Sequence, residues 1–418
     1  MFVKLLLQLF ALPLLWLFFE QPSKLSDKGV EMLESPLRAA DLRVHNKNMV
    51  LALVHASKAK GTSQSMVVKK TGLKAPTIFR IFTSLEEEGL ITPVDQSDDE
   101  VPAKKGRRPV LYTVVQNARY TIGLEFWAAF LSVGVFDFYG ERIYSQMHPL
   151  SPNVQATEVI DLMSEVVQQI LDDLHICRER VIGLGVAAPG QVDISLQKVR
   201  YYPRIEGMKE IALGEVLSER LNIPVLIHNN CSALAFGEYL YGGYDHSDSM
   251  FTFLLRTGVN GAFVHGNEVF LNSQKQTIEC GHIQIDPDGP PCTCGNRGCL
   301  EAFLQALDPN ALDLRLSLFE GLHELLATDN EEAQNILAQA ATHLVFVIRI
   351  LTRLFAPRAF LFVACCTVLA DALKKEVEEL LQVPDAFCSE IPEIFATTYN
   401  PLMTQRGMSD LVIKEYLR

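Results

Sequence analysis

One histidine and three cysteines have the sequence spacing of a metal site. Cys292, Cys294 and Cys299 fall within eight residues, and His282 precedes the first of them by ten. Three thiolates and one imidazole complete a tetrahedral zinc shell, and four protein ligands leave no coordination position for a catalytic water. We therefore expect one structural Zn²⁺ per chain. The alternative is three buried or reactive thiols beside an unrelated histidine.

The remaining cysteines show no comparable spacing, and we expect them in the core: Cys177, Cys231, Cys280, Cys365, Cys366 and Cys388. An odd total of nine cysteines with a clustered triplet favours a reducing compartment, the cytoplasm, over a disulfide framework.

The almost wholly apolar segment Met1–Phe19 disagrees with that placement. A misassigned start codon, a membrane tether and a packing or dimer helix are three interpretations of this segment.

The stretch from Lys47 to Leu90 has apolar residues at helical spacing with two interruptions, which predicts three short helices. In the third helix an apolar stripe would face the core: Ile78, Ile81, Phe82 and Leu85. The residues turned outward include Lys74, Thr77 and Arg80. Such a face suits the major groove of duplex DNA. An ordinary amphipathic helix with a solvated polar face is the alternative.

The segment after these helices is polar and basic, and it resembles a hairpin. It ends with Arg107 and Arg108, and Val110–Tyr112 then has the pattern of a strand. A basic wing of this kind reaches phosphates or the minor groove.

The charge of the chain is unevenly distributed. Residues 40–112 carry 12 Lys/Arg against 8 Asp/Glu, or +4, within a chain of net charge −13, so the remainder carries −17. One modestly basic module is therefore attached to an acidic body, which excludes a protein that coats nucleic acid indiscriminately.

Strands and helices alternate from Arg119 onward. Tyr120–Phe138 has the pattern of paired strands, and Val154–Leu174 that of a long amphipathic helix. Val181–Ala188 is a continuous apolar run, typical of a strand buried on both faces. This alternation predicts an α/β body.

The motifs together resemble the ROK family (repressors, open reading frames, kinases), in its NagC/Mlc-like regulator branch, over residues 40–418. The resemblance is carried by four runs: Thr71–Arg80, Glu88–Ile91, Gly106–Pro109, and Gly281-His282 with Cys292–Glu301. It implies a winged helix-turn-helix followed by a duplicated ribonuclease-H-like, sugar-kinase-like domain with a zinc knuckle. The implied domains are an N-terminal extension (1–39), a DNA-binding domain (40–115) and an effector and oligomerisation domain (116–418).

The family's kinase motifs are altered in this chain. The first phosphate loop, Asp-x-Gly-Gly-Thr, falls on Glu125–Ala129, and the second falls on Arg256–Ala262. A third glycine cluster corresponds to Ala364–Cys366. The Asn-Asp pair that contains the general base falls on Asn229-Asn230, and an amide cannot accept that proton near neutral pH. The departures predict that kinase activity is lost.

The resemblance also implies a sugar site, with these residues at or beside the hydroxyl-binding positions: Gly190, Asn229, Asn230, Glu279, His282 and Glu301. The same side chains could instead only support the zinc loop and an interface. We expect a homodimer or tetramer that binds a palindromic double-stranded operator and responds to a sugar, a phosphosugar or a sugar-transporter domain. The rival functions are an active ROK kinase with an appended reader, a membrane-tethered sugar sensor and a protein-interaction module.

Overall fold

The computed structural model describes residues 39–57, 60–94, 109–246, 248–308, 317–328, 330–382 and 391–418. The apolar segment Met1–Phe19 and the basic residues Arg107 and Arg108 lie outside the described residues. By its internal contacts the chain divides into residues 1–47 and residues 48–418. In the first of these, residues 39–47 are helical.

Three helices and a small antiparallel sheet form the N-terminal part of the described chain. The elements are α1 (Ala39–Ala56), β1 (Thr62–Ser63), α2 (Gln64–Thr71), α3 (Ala75–Glu87), β2 (Ile91–Pro93) and β3 (Leu111–Val114). The sheet has the order β1-β3-β2. Ser63 caps α2 because its hydroxyl accepts the Met66 amide at 3.3 Å, and Gly72 in the left-handed region ends that helix.

The expected stripe on α3 forms the core of this part. Ile78, Phe82 and Leu85 are at most 1% exposed, whereas Ile81 at the edge of the stripe is half-buried. The same hydrophobic cluster contains Val54 of α1. The three predicted helices are therefore present, with α1 beginning earlier than the periodicity indicates.

The first α/β lobe is built on a five-stranded sheet of order β11-β7-β4-β5-β6. Its elements are β4 (Tyr120–Phe126), β5 (Phe130–Asp137), β6 (Arg142–Pro149), α4 (Ala156–Asp173), β7 (Val181–Ala188), β8 (Gln191–Asp193), β9 (Lys198–Tyr201), β10 (Lys209–Ile211), α5 (Leu213–Leu221) and β11 (Val225–Asn229), with a 3₁₀ turn at Arg178–Arg180. Strands β8, β9 and β10 form a separate small sheet. Every residue of β7 is buried, as its continuous apolar run predicts.

The second lobe repeats this design on a sheet of order β14-β13-β12-β15-β16. Its elements are α6 (Asn230–Tyr241), β12 (Ser249–Leu255), β13 (Val259–His265), β14 (Glu268–Val269), a 3₁₀ turn (Cys280–His282), α7 (Leu300–Leu307), α8 (Leu322–Leu326), α9 (Glu331–Phe355), β15 (Ala359–Ala364), α10 (Thr367–Leu381), β16 (Glu393–Thr398) and α11 (Pro401–Tyr416). In each lobe an antiparallel meander of three strands is followed by two strands parallel to the first. The α/β body is therefore an internal duplication.

Among the described helices, α9 alone is long and apolar enough to cross a membrane. Its inward face lies in the core of the second lobe, where Leu344, Ile348 and Leu351 are at most 1% exposed. Buried core helices of folded proteins meet the same length and hydropathy criteria.

The last helix, α11, returns to the first lobe and packs against α6, β4 and β7. The crossing with α6 is close: a Cβ atom on Gly407 would overlap the carbonyl oxygen of Ala233. Farther along α11, Val412 and Ile413 lie in the same hydrophobic cluster as Val54 of α1. The C-terminal helix thus joins the α/β body to the N-terminal helices through one continuous core.

Candidate functional site

The structure brings together the four residues with metal-like spacing. Ligand atoms of His282, Cys292, Cys294 and Cys299 all lie within 4.8 Å of one another. The Cys292 Sγ atom is 3.4 Å from His282 Nδ1, and the Sγ atoms of Cys294 and Cys299 are 3.7 Å apart. Sulfur atoms bound to one tetrahedral ion at about 2.3 Å would be separated by this kind of distance. The group can therefore hold a metal ion.

The loop around the cysteines needs glycine at two positions. Gly295 and Gly298 have φ values of +92° and +66°, which favour glycine, and a Cβ atom on Gly298 would overlap the carbonyl oxygen of Asp286. The Cys292 amide donates to Asn296 O at 2.8 Å, and the Gly298 amide donates to Pro290 O at 2.7 Å. These tight turns direct the three thiols to one point.

The electrostatics of the thiols also fit a cation. Burial, followed by its thiol neighbours, raises the pKa of Cys299 to about 12, so a bare cluster would hold its proton there. The backbone N–H of Asn296 lowers the pKa of Cys294. A divalent cation at the centre would favour thiolates throughout and remove the mutual repulsion.

Asn229 and Asn230 lie at the junction of β11 and α6. The Asn229 Oδ1 atom accepts the Cys231 amide at 2.9 Å as the helix cap, and its Nδ2 donates to Gly190 O at 3.1 Å. Gly190 has φ +74°, and a Cβ atom there would overlap the carbonyl oxygen of Tyr201. The Asn229 amide thus fixes both the helix start and the adjacent turn.

Asn230, which the resemblance implies stands in place of the family's general base, is almost fully buried. Its Nδ2 donates to Phe126 O at 3.2 Å, while its Oδ1 has no hydrogen-bond partner among the described residues. An amide oxygen in this place accepts a hydrogen bond but does not take a proton near neutral pH.

His282 and Glu301 both lie within electrostatic range of Glu279. Burial raises the pKa of Glu279, with His282 lowering it and Glu301 raising it further. By surface area Glu279 is exposed, so neighbouring groups surround its carboxyl while part of the residue stays open to solvent. Glu301 Oε2 accepts the Val259 amide at 2.8 Å. Glu279 also contributes to the raised pKa of Cys231, which follows Asn230, so Glu279 lies near the asparagine pair.

A cluster of aromatic and charged side chains includes residues from the two segments that we expect to correspond to the family's phosphate loops. The Arg256 guanidinium lies 4.7 Å from the ring centroid of Trp127 and 4.2 Å from that of Tyr399. The Trp127 Nε1 atom donates to Glu125 Oε1 at 2.8 Å. The resemblance implies that Trp127 and Arg256 fall at family glycine positions, whereas the place of Tyr399 beside them follows from the three-dimensional structure alone.

The residues expected to contact DNA lie on the outer side of α3. Lys74, the N-cap of α3, and Arg80 are exposed, and Thr77 is half-buried. Phe79, between Thr77 and Arg80, is 60% exposed, a large apolar side chain that the polar-face argument missed. Arg107 and Arg108 are not among the described residues.

The expectation that the unclustered cysteines are core residues is partly wrong. Cys231 and Cys280 are buried, but Cys177 is exposed where a 3₁₀ turn begins. Cys365 and Cys366 are half-buried beside a cavity. Cys388 is outside the described residues.

Two duplicated sheets and a histidine–cysteine cluster define an α/β protein with a sugar-kinase-like fold. The family model described as "ROK family" matches residues 121–415, and the chain belongs to the ROK family.

Xylose repressors of Bacillus spizizenii and Bacillus subtilis are 28% and 27% identical over 263 residues, or 62% of this chain. The match spans 66% of each repressor, just under two thirds of its length. The DNA-binding transcriptional dual regulator NagC of Escherichia coli K12 is 23% identical over 79% of this chain and 84% of its own.

Solved structures share the fold. A ROK family transcriptional regulator, a homologue of the Escherichia coli Mlc protein, aligns with a TM-score of 0.72 and 21% identity over 90% of this chain and 96% of its own. The ROK hexokinase of Thermus thermophilus aligns with a TM-score of 0.58 and 23% identity over 71% of this chain and 99% of its own. The regulator thus aligns with more of the chain than the kinase does.

Proposed function

We propose that this chain is a cytoplasmic, sugar-responsive transcriptional regulator, most simply a repressor of carbohydrate uptake or metabolism genes. Residues 40–115 would be a winged helix-turn-helix that reads a palindromic operator, and residues 116–418 an effector and oligomerisation domain. The observation that carries the proposal is the exposed outer side of α3 in a three-helix unit with a small antiparallel sheet. The repressor and regulator names of the relatives support it.

DNA recognition would begin with α3 in the major groove. Lys74 and Arg80 present positive charge there, and Thr77 offers a hydroxyl beside them. Arg107 and Arg108 would add phosphate or minor-groove contacts from the wing. A homodimer or tetramer would present two such helices at the spacing of operator half-sites.

The metal in the histidine–cysteine group would be one structural Zn²⁺ per chain. His282, Cys292, Cys294 and Cys299 would hold it, and the ion would supply a cross-link that fixes the loop between β14 and α7. Because His282 Nδ1 faces Cys292, Nε2 would remain for a sugar hydroxyl. The metal loop would therefore orient one of the sugar-binding groups.

The effector would be a sugar or phosphosugar, with a sugar-transporter domain as an alternative partner. Glu279 and Glu301 would accept hydroxyl protons as hydrogen bonds, and Asn230 Oδ1, which is buried without a partner among the described residues, would accept another. Gly190 and Asn229 would shape the wall of the site through their mutual hydrogen bond. The relatives named for xylose and N-acetylglucosamine make these two sugars the first to test.

The signal would pass through two helices that are in contact. Helix α6 begins at the asparagine pair, crosses α11 at Gly407, and α11 reaches the core of the N-terminal helices through Val412 and Ile413. A sugar that binds two arrangements of α6 with different affinities would shift the position of the reader.

Kinase chemistry would be lost. By the resemblance, Asn230 would stand in place of the general base, and Trp127 and Arg256 would occupy positions where the backbone must approach phosphate closely. A coupled assay with ATP and a panel of hexoses, pentoses and N-acetylhexosamines tests this. Turnover above background that disappears in the Glu301→Ala variant would establish the rival function, an active kinase with an appended reader.

Selection of bound fragments from the genome of the parent organism tests the proposed function. We expect enrichment of a palindromic sequence next to carbohydrate genes, lost in the Arg80→Ala variant. Arg220→Ala is the matched control, because Arg220 is also exposed and its partner is Asp161 at 2.6 Å on the α/β body. Enrichment that is equal for wild type and Arg80→Ala would contradict the assignment of α3 as the recognition helix.

A further inference from the structure

A large apolar side chain is exposed on the helix that would read DNA. Phe79, in the second turn of α3, is 60% exposed, whereas Phe82, three residues later, is 1% exposed. The Phe82 ring lies edge-on to the Tyr112 ring, with the two centroids 5.0 Å apart. Among the described residues, the hydrophobic cluster that contains Phe82 does not include Phe79. The Phe79 ring therefore has contact area left for a partner.

The neighbours of Phe79 make the centre of this helix face apolar. Ala75 and Pro76 precede it by four and three residues, spacings that bring side chains together on one side of a helix, and both are exposed. Thr83, one turn after Phe79, turns its hydroxyl back to the helix, where it donates to Phe79 O at 3.1 Å. The outer face around Phe79 thus presents a ring and aliphatic groups.

Positive charge surrounds this apolar surface. Lys74 precedes it and Arg80 directly follows Phe79, and both side chains are exposed. Lys69, in the last turn of α2, is exposed as well. The first acidic residue of α3 is Glu86, about 10 Å farther along the axis at about 1.5 Å per residue. A partner of Phe79 should therefore carry negative charge around an apolar group.

Duplex DNA meets both conditions in its major groove. The phosphates supply negative charge along the groove, and the C5-methyl group of thymine is the apolar group that the base edges present there. The N-terminal residues of a recognition helix contact the base edges, and Phe79 lies in the N-terminal half of α3. A phenylalanine ring packed on a methyl group removes apolar surface of both from water.

We propose that Phe79 is a specificity-determining residue that contacts a thymine methyl group at one fixed position in each operator half-site. The inference rests on the proposed function, because it requires α3 in the major groove, and it adds a requirement on the base sequence of the operator. Lys74 and Arg80 hold the helix in the groove by charge. Phe79 distinguishes thymine from a base without the methyl group.

Deoxyuridine tests the contact because it pairs like thymidine but lacks the C5-methyl group. A library of randomised duplexes is selected with the full-length wild-type protein, and the recovered duplex is resynthesised with deoxyuridine at one symmetric pair of thymine positions at a time. In fluorescence anisotropy at constant salt, one of these pairs should weaken wild-type binding at least about fourfold, or about 0.8 kcal/mol. Phe79→Ala should bind the thymine duplex more weakly by at least this factor and should show no further loss with deoxyuridine.

Phe346→Ala is the matched control. Phe346 is also a half-exposed phenylalanine on a helix, at 50% exposure, but it lies on α9 of the α/β body. This variant should bind the duplexes and respond to deoxyuridine as the wild type does. Because neither ring is in the core, both variants should keep the wild-type midpoint of urea unfolding.

Three results would overturn this inference while leaving DNA binding intact: a wild-type affinity that no deoxyuridine pair changes, a wild-type affinity in Phe79→Ala, or the same loss with deoxyuridine in Phe79→Ala as in wild type. A fall in stability of Phe79→Ala as large as that of a core truncation would overturn it too, because another segment of the chain would then cover the ring. Recovery of no sequence from the library would instead contradict the proposed function, and this inference with it.

Discussion

The buried carboxyl group of Glu125 should make the stability of the protein depend on pH. Glu125 is 0% exposed, and its Oε2 has no hydrogen-bond partner in the described structure. Burial raises its pKa from 4.5 to about 7, outweighing the hydrogen bonds of Tyr399 and Trp127 and the charge of Arg256. Between these two values the folded chain keeps a proton that the unfolded chain releases, so stability falls as the pH rises. A pKa difference of about 2.5 corresponds to about 3 kcal/mol in the free energy of unfolding. This contribution is fully lost once the pH rises above the pKa of Glu125 in the folded protein.

The Glu125→Gln variant keeps the shape of the side chain and removes its ionisation. We expect the free energy of unfolding of the variant, relative to wild type, to rise by about 3 kcal/mol between pH 4.5 and pH 8. Urea unfolding followed by circular dichroism at a series of pH values measures this difference. Because all other titrating groups are shared, their contributions cancel in the comparison.

Asp193 provides a control of opposite sign. The backbone N–H of Leu196 and the Arg200 guanidinium hold the pKa of Asp193 below its usual range, so its contribution is present near neutral pH and lost as the pH falls. The stability of Asp193→Asn should therefore approach that of wild type in acid. Wild-type and Glu125→Gln curves that stay parallel from pH 4.5 to pH 8 would refute the reasoning about Glu125.

Three further outcomes follow from packing and from the metal group. Cys299→Ser should reduce bound zinc from one per chain to near zero, as measured by plasma mass spectrometry, and should lower Tm, because one of four ligands is lost. Ile413→Ala should lower the free energy of unfolding by about 2–5 kcal/mol, since the side chain is 3% exposed in the core shared with α1. Gly407→Ala should cost at least about 1–3 kcal/mol because its Cβ overlaps a carbonyl oxygen of α6. Urea unfolding checks both values, and wild-type behaviour would contradict each.

Features set by neighbouring residues could be predicted from the sequence. The Ser63 cap, the stripe on α3 and the fully buried β7 depend on residues a few positions apart, so periodicity and turn chemistry suffice. The histidine–cysteine group was predictable for a similar reason, because its members lie within one short segment and their spacing constrains the loop.

Features set by distant residues could not be predicted in this way. Glu125 and Tyr399 come together from different lobes, 274 positions apart in the chain, and no local pattern couples them. The return of α11 to the first lobe is equally non-local, although the glycines at its crossing with α6 are visible in the sequence. The sequence also did not indicate that Asn229 would use its amide to cap α6 and hold Gly190. The roles of the sugar and DNA residues remain predictions.

The binding of the full-length protein to its selected operator, measured by fluorescence anisotropy with and without sugars, tests the central claim most directly. We predict nanomolar-range affinity for the palindrome that falls steeply with salt, as phosphate neutralisation requires, and that shifts when the effector is added. Equal affinity for the palindrome and a scrambled duplex at low salt, or no binding to either, would contradict the account.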